Sequence, residues 1–229
     1  MIKVDIGKEC TDEYCKKAVE SISGILNRDY DAWGLPTILQ ISEGTTPISY
    51  FKEVLDCKTR NMIRKPSKYN IFFRQVKKNL VLKQVHEINT SSLFRQGRIM
   101  SEGYRKFPKY TKYERNCDKH YWQFYGAFSE EGKFDRLIAY ISVLTYKELI
   151  LVSQILGHAD YLKTGVMNFL LYWTIVDIMN WNSYVKYIQY GFWGSGEDGL
   201  RHFKKSMGFK PMDIREGEHR VRRYDRFNR

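Results

Sequence analysis

LILVSQILGHADYLKTGVMNFLLYWTIVDIMNWNSYVKYIQYGFWGSGEDGLRHFKKSMGF, residues 149–209, is the stretch whose reading decides the fold. It opens on an apolar run, Leu149 to Leu156, of the kind a strand shows when both its faces are buried. A polar turn follows from Gly157 to Thr164. Gly165 then opens a segment, Val166 to Met179, that is apolar on nearly every side. It is too short to span a bilayer and long enough for a buried helix. Val185 to Tyr190 reads as a second strand, and the loop Gly191 to Gly199 leads into a last helix that stops at Gly208. Strand, helix, strand in this order predicts two parallel neighbours joined by a right-handed crossover. The aliphatic pattern leaves no solvent-facing position for Leu151, Ile155, Leu170 or Leu171.

Upstream, Tyr121 to Phe128 and Leu137 to Tyr146 alternate as strands around the turn Ser129 to Lys133, and with 149–156 they predict an antiparallel meander. Tyr69 to Val76 (YNIFFRQV) is rich in the aromatic and branched residues that suit a strand. Helical spacing marks residues 8–27 through Ala18, Val19, Ile22, Ile25 and Leu26, and residues 80–90 through Val81, Leu82, Val85 and Ile88. Pro47 starts a helix expected to run from Ile48 to Lys65, where Pro66 ends it. Thr37 to Ser42 is a short strand, Lys210 to Ile214 a closing one, and His219 to Phe227 a last one. Between Ser91 and Arg115 lies a polar, basic, Tyr-rich segment too long for an ordinary connection; it is either a cover over a substrate or carries extra short helices.

The chain of 229 residues is 43% apolar, enough for a real core, and its net charge is +12. That charge is localised. Residues 52–115 hold 17 Lys/Arg against five Asp/Glu, a balance equal to the whole excess, and six Arg follow from Arg215 onward. A basic region of this kind draws polyanions by long-range steering, whether coenzyme A, tRNA or another nucleic acid. The bland counterpart is a solvated surface. Residues 1–12 do not resemble a signal peptide, and no apolar segment reaches membrane-spanning length, so a cytoplasmic protein is expected. Cys10, Cys15, Cys57 and Cys117 show no paired metal spacing, and no His lies near the Cys10–Cys15 gap. The expectation is thiols in a reducing compartment, with no metal and no disulfide.

SQILGHADYLKTGVM (153–167) and YGFWGSGEDGLRHFKKSMGFKP (190–211) resemble the GNAT acyltransferase superfamily, and with RNMIRK (60–65) and RQGRIM (95–100) they look similar to its Fem-type branch, whose members transfer amino acids from aminoacyl-tRNA. The resemblance covers residues 60–214. It implies an α/β (α+β) fold with a mixed, twisted central sheet flanked by helices. Residues 67–229 would form the GNAT-like domain, and residues 1–66 a helical and strand extension packed on it. The implied activity is transfer of an acyl or aminoacyl group from acyl-coenzyme A or aminoacyl-tRNA to an amine or hydroxyl. A nucleic-acid-binding or nucleic-acid-modifying protein on the same fold is the alternative. A second copy of the chain is a further expected partner, since Fem-type enzymes with two such domains exist.

The same resemblance names a site. In the superfamily the turn after the central strand cradles the donor's pyrophosphate on a helix N-terminus. Here that turn offers Lys163, Thr164 and a single glycine, Gly165, with Gln154 on the strand before it. The usual basic turn with two close glycines is absent, which leaves an aminoacyl-tRNA donor open; the plain counterpart is a helix start capped by Thr164. His158 and Asp160 could orient an acceptor amine or relay a proton, or merely cap the turn. Many members place a Tyr acid four residues before the Gly-Phe pair; this chain has Lys204, which could bind phosphate or stand solvated on an exposed helix face. Tyr190 and Trp193 are the nearer aromatic candidates for that acid, with a place in the core the plain counterpart for both. Arg95 and Arg98, framing Gln96, and Ser195 in the glycine-rich loop are anion- or acceptor-binding candidates, with helix capping the counterpart for Ser195.

Overall fold

The computed structural model describes residues 2–8, 10, 13–26, 34–95, 98–110, 117–131, 134–194 and 198–216. The last predicted strand, 219–227, lies outside them. Eleven strands are described: β1 Ile2–Val4, β2 Pro36–Gln40, β3 Ile71–Gln75, β4 Phe94–Arg95, β5 Arg98–Ile99, β6 His120–Glu131, β7 Phe134–Tyr146, β8 Leu149–Gly157, β9 Tyr187–Phe192, β10 Lys210–Pro211 and β11 Ile214–Glu216. The helices are α1 Glu13–Leu26, α2 Pro47–Ser49, α3 Cys57–Arg64, α4 Leu82–Thr90, α5 Glu102–Arg105, α6 Val166–Trp181 and α7 Asp198–Ser206.

Seven strands form one mixed sheet in the order β10-β2-β9-β8-β7-β6-β3, with β8 in the middle. The meander β6-β7-β8 is antiparallel, and β8 runs parallel to β9 across the α6 crossover, as the sequence pattern predicts. Strand β3 closes one edge of the sheet against β6. Strand β2, from the N-terminal extension, is a member of the same sheet, paired antiparallel to β9. Outside it, β1 and β11 make a parallel pair, and β4 and β5 a small hairpin.

Alternation along β6 separates the two faces. Tyr125 and Ala127 point into a core with α6 and Ile63 of α3, whereas Phe124 and Phe128 point into one with Val85 and Ile88 of α4. Helix α1 packs on that second side through Val19, Ile22 and Leu26, against Leu144, Tyr146 and Leu149. Helix α6 is apolar all round because it is covered on two sides. The sheet lies beneath it, and Tyr50 and Phe51 contact its Tyr172, with ring centroids 6.1 and 5.3 Å away. Its Asp177 accepts a hydrogen bond from the Tyr125 hydroxyl at 2.8 Å. Leu170 and Leu171 are fully buried, as expected, but Leu151 and Ile155 are only partly so and Ser153 is exposed. Strand β8 is therefore not buried on both faces along its length; its second half borders a cleft.

The helix expected over Ile48–Lys65 is broken. Thr46 caps α2 in a reciprocal pair with Ser49, a wide π-helical turn follows over Tyr50–Val54, and Leu55 is extended. Asp56 then starts α3 afresh by accepting from the Thr59 amide at 2.6 Å. The carboxylate cap outcompetes continuation of the helix. Nor does Pro66 stop the chain's helical path at once. It sits in the first turn of a 3₁₀ segment, Lys65–Tyr69, which ends on Asn70 in the left-handed region (φ 51°).

Candidate active-site cleft

Strands β8 and β9 pair over three rungs, Leu149–Tyr187, Ile150–Ile188 and Leu151–Gln189, and then part. An extra residue, Ser153, sits in β8 opposite the Ser142–Val143 step of β7, and such a bulge bends a strand and sharpens its twist. Beyond it, no strand among the described residues pairs with the edge of β8 that faces β9. The gap widens into a cleft of about 830 Å³. Val152 to Gly157 form one wall, Tyr190 and Phe203 another. The third wall comes from the long segment after α4: Ser92, Phe94, Arg95, Met100 and Tyr104. The segment 91–110 thus carries a short hairpin and a helical turn, and it covers the cleft.

Arg95 anchors that cover. Its Nη1 donates to the Gly157 carbonyl at 2.8 Å, and Nη2 donates to the Ile88 carbonyl and the Ser91 hydroxyl, both at 2.9 Å. Ser91 Oγ also accepts from the Ala159 amide at 3.0 Å. The guanidinium is half-buried and faces carbonyls rather than carboxylates, and its Nε is buried with no protein partner. Burial lowers its pKa from the usual arginine value, but arginine remains charged in proteins. Arg95 and Arg98 stand opposite each other on the two strands of the β4–β5 hairpin. Gln96, the Arg98 side chain and Ser195 lie outside the described residues.

Tyr190 lines the cleft. Its ring packs edge-on against Phe203 and Phe209, and burial together with nearby Tyr104 pushes its hydroxyl pKa well up, so the phenol stays protonated. Gln154 is also in the wall. Lys204 is not on an exposed face: it is 1% exposed, and its ammonium donates to the Phe192 carbonyl at 2.8 Å and sits 5.2 Å from the Tyr190 ring centre. The amphipathic pattern of α7 turns this lysine inward, where a carbonyl and a ring face replace water.

The turn after β8 is placed differently from the expectation. Gly157, Ala159 and Leu162 reach the cleft, whereas Lys163, Thr164 and Gly165 do not line it. The Thr164 hydroxyl donates to the Tyr161 carbonyl at 2.6 Å, and the Lys163 carbonyl accepts from Lys65 Nζ at 2.7 Å. Gly165 takes φ 88°, and a Cβ there would meet the Met62 carbonyl oxygen at 2.3 Å. Its glycine is demanded by the close passage of α3. His158 caps the turn: its Nδ1 accepts from the Asp160 amide at 3.4 Å and its ring meets Tyr161 edge-on, with the Asp160 carboxylate 3.6 Å away and largely in solvent. Neither side chain joins the cleft wall. The plain capping role describes His158.

No protein-family model and no curated protein sequence matches the chain. Solved structures do match its fold. A tandem GNAT protein from the clavulanic acid biosynthesis pathway aligns with a TM-score of 0.50 at 11% identity, covering 78% of this chain and 50% of that one. L-PGS from Bacillus licheniformis aligns with a TM-score of 0.50 at 15% identity, covering 79% of this chain and 58% of that one. A GCN5-related N-acetyltransferase from Kribbella flavida gives 0.44 at 6% identity, covering 79% and 55%. The seven-stranded mixed sheet, parted at β8 and β9, is thus the GNAT acyltransferase fold. The chain spans little more than half the length of the structures it matches. The likeness shows the fold alone and does not single out the Fem-type branch. Among the described residues no helix is long and apolar enough to cross a membrane.

Proposed function

We propose that this protein transfers an acyl or aminoacyl group from a phosphate-bearing donor, acyl-coenzyme A or aminoacyl-tRNA, to an amine or hydroxyl acceptor. The observation that carries the reading is the cleft opened where β8 leaves β9. Main-chain N–H groups of β8 beyond Leu151, where the strand has left β9, are suited to the oxyanion that develops when the acceptor attacks the donor carbonyl. The new C–N or C–O bond forms as the donor's C–S or C–O bond breaks. Tyr190, kept protonated by burial, gives its proton to the departing thiolate or alkoxide, and the proton lost by the acceptor nitrogen or oxygen restores the phenol. Arg95 supplies a cation in the wall, with no carboxylate bonded to it, for the donor's phosphates. Gln154 takes part from the same strand.

The alternative, a nucleic-acid-binding module, asks for one continuous basic surface. Among the described residues, six basic side chains of 52–115 instead divide between the two sides of the sheet. Lys58, Arg60 and Arg64 lie on α3 beside α6, and Lys83 lies on α4 opposite, with Lys77 and Lys78 just before it. This division favours the enzyme reading. The test is mass spectrometry of the natively purified protein for retained ligand, followed by titration with acetyl-coenzyme A and with charged tRNA. Saturable binding of either donor that weakens at least tenfold in Arg95→Gln supports the proposal. Binding of uncharged DNA and tRNA alike, with no donor preference and no effect of Arg95→Gln, overturns it.

A further inference from the structure

At the end of the sheet away from the cleft, four side chains from three places in the chain converge. The His120–Tyr146–Leu149 rung lies at one end of β6, β7 and β8, and the cleft begins only beyond Leu151 toward the other. Cys10 and Cys15 come from the N-terminal arm, Cys117 precedes β6, and His120 opens it. Their three Sγ atoms and one ring nitrogen all lie within 4.8 Å of one another. Cys15 and His120 are buried, and Cys10 and Cys117 are half-buried. The Cys15 and Cys117 sulfurs are 3.4 Å apart and Cys117 Sγ is 3.3 Å from His120 Nδ1. A disulfide needs about 2.05 Å between sulfurs. Ligands about 2.3 Å from a zinc ion at tetrahedral angles stand about 3.8 Å from one another, within the spread seen here.

We propose that Cys10, Cys15, Cys117 and His120 form a structural zinc site. The histidine is set for it. His120 Nε2 lies 2.7 Å from the Ile6 carbonyl oxygen, an acceptor only, so Nε2 carries the ring proton and donates. Nδ1 is then the bare nitrogen, and it is the one turned toward Cys117 Sγ. A ligating imidazole is oriented in this way, by giving its outer N–H to a carbonyl. Gly7 permits the approach: with φ 72°, a Cβ there would stand 3.0 Å from two atoms of the His120 ring. The His120 amide also donates to Cys117 Sγ at 3.1 Å, which holds that sulfur beside the ring. Three soft thiolates with one imidazole suit tetrahedral zinc. Binding releases three protons, one from each thiol, and none from the neutral ring, and leaves one net negative charge. Four protein ligands leave no open position, so the ion holds the N-terminal arm to the sheet and takes no part in transfer.

The spacings are present in the chain but lie far apart. Cys10 and Cys15 make a C-x4-C pair and Cys117 with His120 a C-x2-H pair, the second unread in the sequence because its partner pair is about a hundred positions away. The expectation of thiols without a metal role gives way to this reading.

The test is the metal content of the full-length protein purified without affinity metals, by inductively coupled plasma mass spectrometry, and its cobalt spectrum after exchange under reducing conditions. The expected result is one zinc per chain, tetrahedral cobalt bands with thiolate charge transfer, and a fall in melting temperature on chelation. Cys10→Ser, at a half-exposed position that preserves the core, should weaken zinc at least tenfold, and His120→Asn likewise. Cys57→Ser, whose thiol is exposed and outside the cluster, should keep full occupancy. A folded wild-type protein that carries no zinc and takes up neither zinc nor cobalt overturns the proposal. So does peptide mapping that finds a Cys15–Cys117 disulfide in the metal-free protein.

Discussion

The ammonium of Lys204 donates to the main-chain carbonyl of Phe192 at 2.8 Å, from a position 1% exposed to solvent. The bond ties α7 to the end of β9, directly behind the Tyr190 wall of the cleft. It also carries a cost, because burial holds the Lys204 pKa down to about 8 from the ordinary 10.5.

That shift predicts a pH dependence of stability. Below about 8, folded and unfolded chains both hold the proton and the burial cost is complete. Between 8 and 10.5 the unfolded chain binds more protons than the folded one, so stability rises with pH. Urea denaturation of wild type and Lys204→Met at neutral pH and at pH about 10 should show the wild type gaining up to about 3 kcal/mol relative to the variant. Parallel stability curves for the two proteins would refute the buried charge.

Gly165→Ala should destabilise the fold rather than abolish donor binding. The residue combines a left-handed φ with a Cβ position 2.3 Å from the Met62 oxygen. Backbone strain alone costs roughly 1–3 kcal/mol, and displacement of α3 adds to it. The melting temperature should fall by several degrees, with donor affinity per folded molecule unchanged. A variant with wild-type stability and no donor binding would return the turn to the site.

Arg95→Lys keeps the charge and loses the fork. An ammonium cannot replace the bonds to Gly157, Ile88 and Ser91 together. The expected loss of stability is about 1–3 kcal/mol, read by chemical denaturation, with donor affinity falling as the cover over the cleft loosens. Equal stability of Arg95→Lys and wild type would show that the fork anchors nothing.

Tyr190→Phe isolates the hydroxyl. The ring's edge-on contacts with Phe203 and Phe209 survive the change, so stability should hold. Turnover should drop on the order of a hundredfold, the usual scale for loss of a general acid. Because the phenol's pKa is raised, wild-type turnover should show no loss of this proton up to pH about 10. Full activity in Tyr190→Phe would remove the residue from the reaction.

The strand-helix-strand core was legible because burial dictates composition: β8 and α6 are apolar where the sheet and α2–α3 cover them. Tyr190 and Gln154 were legible through resemblance to a fold whose cleft position is fixed by topology. Three features were not. Lys204 reads as a solvated lysine until α7 is docked on β9. Gly165 reads as a phosphate-approach glycine, since no local pattern announces that Met62 passes over it. The break at Leu55 and Asp56 turns on a carboxylate cap inside an otherwise continuous helical period. The first two depend on a neighbour distant in sequence that only the assembled chain supplies; the third is a local cap hidden in a continuous helical period.

The parallel pairing of Ile2 with Ile214 places the first described strand against the last. During synthesis β1 therefore meets its β11 partner only after about two hundred further residues have been made. At about 5–20 residues per second, that is a wait on the order of ten seconds or longer. The residues that follow β1, including Ile6, Gly7 and Cys10, meet His120 well before β1 meets β11. The order of emergence thus makes the arm's contacts with the meander available before the β1–β11 pairing.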